Sequence, residues 1–201
     1  VHLAGGEVLG ATAVILATPA FVTAKLVAEL DEVLAEAHAA IPYASSVIVT
    51  LAYDEEALGG PLDGFGYVIP RAEDKEMLAC TWTSTKWDNR APEGGALIRV
   101  YMGRYGEADM VGRDDETLVA LAEKELGQTL GIEAEPLFHR VVRWERGMPQ
   151  YNLGHVDILA RIEARLATYD DLAVAGAAYR GVGIPDCIGS GDAAARAVWV
   201  G

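Results

Sequence analysis

The 201-residue sequence has little cysteine, little positive charge and no long apolar run. Its two cysteines, Cys80 and Cys187, form no CxxC pair and cannot build a disulfide scaffold. Such sparing use suits a reducing compartment, and a cytoplasmic location is expected. Lys and Arg number 16 against 30 Asp and Glu, a formal charge of −14. That balance argues against nucleic acid as a partner and against adhesion to an anionic membrane. The longest charge-free stretch, Val8 to Ala24, is 17 residues long and contains Gly10 and Pro19. It is short for a membrane span and is broken by its proline. The four histidines, His2, His38, His139 and His155, have no metal-ligand spacing. There is no P-loop, no GxGxxG fingerprint, no hydrolase triad pattern and no repeat of fixed period. No basic n-region or cleavage site marks a signal peptide. The chain opens at Val1-His2-Leu3, inside a strand-like pattern, and is expected to be a piece of a longer protein. What is present, 51% hydrophobic and 23% charged residues, is enough for a packed core of ordinary domain size.

Periodicity predicts mixed α and β structure. Val1 to Ala4 and Val8 to Leu16 read as two strands about a Gly5-Gly6 turn. Phe21 to Ala40 reads as one helix, with Val22, Leu26, Leu30, Val33, Leu34 and Ala37 inward. Four strands follow, Ser46–Tyr53, Gly66–Pro70, Met77–Thr83 and Ala96–Met102. Their connections are too short for crossover helices, so antiparallel pairing is expected. Asp114–Leu130 reads as a helix with acidic residues at its start and Gly131 past its end. A strand over Leu137–Trp144, a helix over His155–Ala167, a short buried strand over Leu172–Gly176 and a last helix from about Pro185 to Trp199 complete the pattern. Val156, Leu159, Ile162 and Leu166 form the apolar stripe of the His155 helix. Asp157, Arg161 and Arg165 read as a solvated face on it.

The segment Leu172 to Gly191 combines strand, glycine-rich turn and helix. Gly181 and Gly183 allow close approach of a ligand to the backbone. Pro185 pre-sets φ for the first helical turn, and Asp186 suits a cap. Free N–H groups at such a helix start can face an anion or a group that becomes one. The same residues suit a tight turn into a core helix, and on the residues alone both readings stand. Cys187 likewise reads either as an activated thiol at a helix start or as a small buried side chain.

The string Ala175-Gly-Ala-Ala-Tyr-Arg-Gly-Val-Gly-Ile-Pro-Asp-Cys-Ile188 resembles the C-terminal flavin-contact motif of the protoporphyrinogen and coproporphyrinogen oxidases, within the monoamine-oxidase-like flavoproteins. Ala13-Val-Ile-Leu-Ala-Thr-Pro-Ala20 resembles the strand that leaves their FAD domain. Gly64-Phe-Gly-Tyr-Val-Ile-Pro70 resembles their GFG strand. Arg143-Trp-Glu-Arg-Gly-Met-Pro-Gln-Tyr151, followed by Gly154-His155, resembles their tryptophan-to-MPQY strand. The resemblance implies an α+β fold, an antiparallel substrate-binding sheet flanked by helices, with C-terminal pieces of a Rossmann-like FAD-binding domain. It places returning strands of the FAD domain at 1–18, the substrate-binding domain at 19–170 and the closing strand-turn-helix at 171–201. The nucleotide-binding βαβ unit that opens such enzymes does not occur in these residues.

The same resemblance implies an oxygen-dependent oxidase of haem biosynthesis that converts a porphyrinogen, coproporphyrinogen III or protoporphyrinogen IX, to the porphyrin. FAD is the implied cofactor; a tetrapyrrole and oxygen are the implied partners. Ala177, Val182, Gly183 and Ile184 are expected to line the flavin through their backbones, with Trp144 packed nearby. The helix from Pro185 is expected to aim its N-terminus at the pyrimidine edge of the isoalloxazine. No catalytic residue and no metal are implied. Arg140, Arg143 and Arg146 alternate faces in a strand, so they cannot all meet a propionate. Trp82, Trp87 and Tyr67 read as tetrapyrrole-facing or as core. The isolated segment is expected to be inactive, and peripheral membrane contact is left open. Two alternatives stand beside this reading: another flavin amine oxidase or desaturase, and a non-catalytic binding module.

Overall fold

The computed structural model describes residues 1–107 and 109–199. In chain order its elements are β1 (Val14–Leu16), α1 (Ala20–Val27), α2 (Glu32–Ala39), β2 (Tyr43–Asp54), β3 (Gly66–Val68), β4 (Met77–Trp82), the single turn α3 (Thr83–Lys86), β5 (Gly95–Met102), α4 (Asp115–Leu130), β6 (Phe138–Pro149), α5 (His155–Leu166), β7 (Leu172–Val174) and α6 (Ile184–Val198). Two compact units result, one of residues 1–43 with 148–201 and one of residues 44–147. These limits differ from the spans 1–18, 19–170 and 171–201 implied by the resemblance. The last two residues of the third span lie outside the described ones.

The unit of residues 44–147 is built on a five-stranded sheet of order β3-β4-β5-β2-β6. The pairs β3·β4, β4·β5 and β2·β5 are antiparallel, as the short connections predict. Alternation explains the core. Val47, Val49, Leu51 and Tyr53 of β2 are buried, as are Ala96, Ile98, Val100 and Met102 of β5. They meet Leu118, Val119, Leu121, Ala122 and Leu126 of α4 in one apolar cluster. The α4 ends form as expected: Asp114 accepts the Thr117 N–H at 2.7 Å, and Gly131 closes the helix in the left-handed region. Burial pushes the Cys80 thiol up to about 12, so it stays protonated in this core.

The unit of residues 1–43 and 148–201 holds a parallel pair, β1 with β7, in which Val14 lies opposite Leu172. Its core joins Ala20, Val27, Leu34, Ala37 and Ile41 to Leu159, Ile162, Ala178 and Tyr179. Three expectations are corrected here. The first sixteen residues form not two strands but one isolated His2–Val8 bridge and the three residues of β1. They are mostly exposed, so little apolar burial holds them extended. The predicted helix over 21–40 is two helices. Asp31 breaks it by adopting an extended backbone and accepting the Leu34 N–H at 2.9 Å as N-cap of α2. The break turns Leu26, Leu30 and Val33 outward and leaves Ala20, Thr23, Ala24 and Val27 inside. Val156 on α5 is likewise exposed rather than part of the buried stripe.

Arg165 is not part of a solvated face. It grips Asp31 through Nε at 2.9 Å and Nη2 at 2.7 Å, and the Tyr169 hydroxyl donates to the same oxygen at 3.1 Å. The Arg165 guanidinium holds the Asp31 carboxyl below its usual value of 3.8, with the Leu34 N–H assisting. Burial pushes the His38 imidazole below 6.5, although its Nδ1–H donates to the Leu34 carbonyl at 2.8 Å. Each group binds a proton less readily folded than unfolded. Their contributions to stability are therefore complete above about pH 6.5 for His38 and about pH 3.8 for Asp31, and are lost as the pH falls below those values. The thermal midpoint of this unit should drop on acidification from pH 6.5 and again below about pH 4. His38→Gln should flatten the upper step and Asp31→Asn the lower one in a calorimetric pH series. A wild-type midpoint constant from pH 7 to 5 would show an imidazole that titrates freely.

Candidate functional site

After β7 the chain bends through Ala175–Gly183 into α6. Gly176 has φ +117° and Gly181 φ +154°, backbone that a side chain rarely tolerates. A Cβ on Gly181 would lie 2.5 Å from the Asp186 carboxyl carbon, so the glycine makes room for that side chain. Gly183 is the N-cap of α6 and Pro185 stands in its first turn. Asp186 turns its carboxylate back to accept the Gly183 N–H at 3.3 Å, the capping role expected of it. Gly183 has no side chain with which to answer. The Ile184 and Asp186 amides therefore start the helix without a side-chain cap. The Cys187 N–H closes the first turn on the Gly183 carbonyl at 3.0 Å. The Cys187 thiol is half-buried, with Sγ 3.9 Å from the Gly181 carbonyl oxygen.

One side of the bend is gripped by its own unit. The Tyr151 hydroxyl donates to the Ala177 carbonyl at 2.6 Å and accepts the Gly181 N–H at 2.8 Å. The His155 ring stacks on the Tyr151 ring at 4.1 Å and 10°. Its Nε2 lies 3.1 Å from the Tyr179 carbonyl; a carbonyl only accepts, so Nε2 carries the proton. Ala178 and Tyr179 are buried, and burial pushes the Tyr151 phenol up. The other side is open. Val182 is 50% exposed, Ile184 78% and Ile188 62%, an apolar set at the leading end of a helix with free amides. The bend is thus no mere corner in the core. A groove of about 800 Å³ runs along the flank of α6 between Leu159, Ile162 and Leu166 on one wall and Ala193, Ala194 and Ala197 on the other. It reaches the leading end only at Pro185 and Asp186.

The structure brings Ala177, Val182, Gly183 and Ile184 together on this bend. Ala177 is half-buried with its carbonyl occupied; Val182 and Ile184 are exposed on the open side, and Gly183 between them is half-buried. Trp144 stands on β6 of the other unit, about half exposed. Tyr151 and His155 are the members that sequence reasoning missed. The MPQY and Gly-His strings contain them, but nothing local shows that they reach backbone 24 to 30 residues further on. Among the remaining candidates, Trp82 is core and Trp87 is exposed beneath the Lys86 ammonium at 4.7 Å. Tyr67 bonds Thr129 at 2.6 Å. Arg143 is committed to Asp115 at 2.5 Å and to the Val111 and Arg113 carbonyls, a tie between β6 and the start of α4. Among the described residues no cluster of three His, Cys, Asp or Glu side chains suits a metal ion.

The family described as flavin containing amine oxidoreductase matches residues 1–199. The chain belongs to this family. Membership implies a flavin cofactor, and the mixed helix and antiparallel-sheet architecture agrees with it. Relatives of this chain include the coproporphyrinogen III oxidase of Staphylococcus aureus, 41% identical over 151 residues that make up 75% of this chain and 32% of that protein. The coproporphyrinogen III oxidase of Bacillus subtilis is 35% identical over 195 residues, 96% of this chain and 41% of that one. Among solved structures, a protein of Exiguobacterium sp. 255-15 provisionally named a protoporphyrinogen oxidase superposes with a TM-score of 0.77 at 32% identity, over 90% of this chain and 39% of that one. The chain therefore spans about a third to two fifths of the length of these relatives. Among the described residues no helix is long and apolar enough to cross a membrane.

Proposed function

We propose that this chain is the C-terminal part of an FAD-dependent oxidase that converts a porphyrinogen to the porphyrin with oxygen as acceptor, in haem biosynthesis and in the cytoplasm. The observation that carries the reading is the open bend at Gly181–Ile184, glycine-built and apolar-rimmed, with no side chain of Gly183 to take the first amides of α6. The names of the relatives favour coproporphyrinogen III over protoporphyrinogen IX. Residues 1–18 and 171–201 would belong to the FAD-binding domain and much of the remainder to the substrate domain.

The residues present fit a flavin. Gly183 presents bare backbone between the exposed Val182 and Ile184, where a Cβ would come within 2.8 Å of the Asp186 carboxylate. Val182 and Ile184 offer exposed apolar surface to its edge. When bound, the flavin supplies the acceptance of hydride from the substrate. The Ala177, Val182, Gly183 and Ile184 backbones would hold the ring from the α6 side. The Ile184 amide and the positive end of α6 favour negative charge that builds on the ring. Asp186 keeps its own charge turned onto the Gly183 N–H. The apolar rim formed by Val182, Ile184 and Ile188 keeps water from that edge.

The test uses the full-length protein. Incubation with coproporphyrinogen III, protoporphyrinogen IX and a panel of primary amines, followed by porphyrin fluorescence and peroxide release, should show porphyrin formation with peroxide and no amine turnover. Amine oxidation without porphyrin would replace this reading by the amine oxidase one. A colourless protein inert to every substrate would leave a binding module.

A further inference from the structure

Three alternate backbone groups of the bend are held from one side by two side chains that lie face to face. Tyr151 takes the Ala177 carbonyl and the Gly181 N–H, and His155 takes the Tyr179 carbonyl between them. The phenol oxygen spends its single donor and one acceptor site on these two partners. The ring stack at 4.1 Å and 10° fixes both side chains against each other, and His155 is buried at the first turn of α5. The residues gripped are 177, 179 and 181; beyond them Val182 and Ile184 are exposed, and Gly183 between them is bonded only within the first turn of α6. Gly176 and Gly181 flank the gripped stretch in positive-φ backbone, which resists collapse into helix or strand only while external bonds hold it.

We infer that the stacked Tyr151–His155 pair is a clamp that positions the Ala177–Ile184 bend for the flavin, so that Tyr151, without touching the ring, sets how tightly the flavin is held and how readily it is reduced. The inference rests on the flavin reading of the bend. A bend held before the cofactor arrives spares binding the cost of ordering it, and keeps the Ile184 amide aimed where negative charge develops.

Tyr151→Phe tests this in the full-length protein. It keeps the ring and its stack on His155 but removes both hydrogen bonds. In flavin-free protein, the Gly181 amide should exchange at least about fivefold faster in Tyr151→Phe, as expected for the loss of hydrogen bonds each of modest net strength. FAD titration should give a dissociation constant raised by a similar factor, and the midpoint potential of bound flavin should fall. Tyr169→Phe, whose hydroxyl bonds Asp31 instead, should move none of the three. Unchanged Gly181 exchange overturns the clamp. Faster exchange with unchanged affinity and potential overturns its positioning role. Wild-type protein that takes up no FAD overturns the flavin reading itself, and that outcome is told apart because exchange is measured before FAD is added.

Discussion

Replacing Gly66 with alanine should peel β3 from the sheet of the 44–147 unit. Gly66 has φ +136°, and it lies opposite Thr81 in the β3·β4 ladder. An added Cβ would overlap the Cys80 carbonyl oxygen and lie 2.8 Å from the Thr81 Cα. Both neighbours are backbone of an interior strand, and no rotamer change can relieve them. The positive φ alone costs about 1–3 kcal/mol. Relieving the overlap means separating two paired strands and losing the Tyr67–Thr129 bond carried by β3. A total of about 3–5 kcal/mol is expected, a fall in thermal midpoint of roughly 10–20 °C for a unit of this size. Gly59→Ala is the comparison. Its φ is +73° but nothing lies within 4 Å of its Cβ position, so it should cost only the conformational part. Equal midpoints for the two variants in circular dichroism melts would mean that the overlap at Gly66 is absorbed by movement of an edge strand.

Gly183→Val should do the reverse, sparing the fold and removing the cofactor. Gly183 has φ −68° and ψ 151°, which valine adopts readily. Its nearest obstacle is the free end of the Asp186 side chain, which can rotate away at the loss of one hydrogen bond, about 1 kcal/mol. The isopropyl group then adds bulk at the helix start between the exposed Val182 and Ile184. Bound flavin, read by its visible absorbance per mole of purified protein, should fall by at least tenfold, and porphyrinogen turnover with it, while the melting temperature moves by only a few degrees. Unchanged flavin content and turnover would reject the placement of the ring at this helix start.

Much of this architecture was legible because the elements that were read carry their own punctuation. β2 and β5 alternate strictly, and α4 begins at Asp114 and ends at Gly131. The misreadings share a cause, which is long-range pairing. Asp31 sits in an unbroken helical pattern with no glycine or proline to mark the break. Its partner Arg165 lies 134 residues away, while the local i,i+4 spacing of Asp157, Arg161 and Arg165 reads as one solvated face. The bend was found from glycines and a proline that constrain their own backbone, and the family resemblance supplied its expected use. Tyr151 escaped because a phenol carries no local conformational signal. The start of the chain was over-read because apolar alternation says nothing about whether a partner strand exists.

The β1·β7 ladder joins Val14 to Leu172, whereas the other unit is one uninterrupted stretch of chain. On a ribosome this ordering has a consequence. The stretch 44–147 can complete its sheet while α5 and β7 are still unmade, whereas β1 cannot pair with β7 until Leu172–Val174 have emerged. Loop closure on that scale is slow. An arrested chain with residues up to about 150 outside the exit tunnel should therefore hold a protease-resistant 44–147 stretch beside a sensitive β1 segment, and extension until Val174 is outside should protect that segment as well.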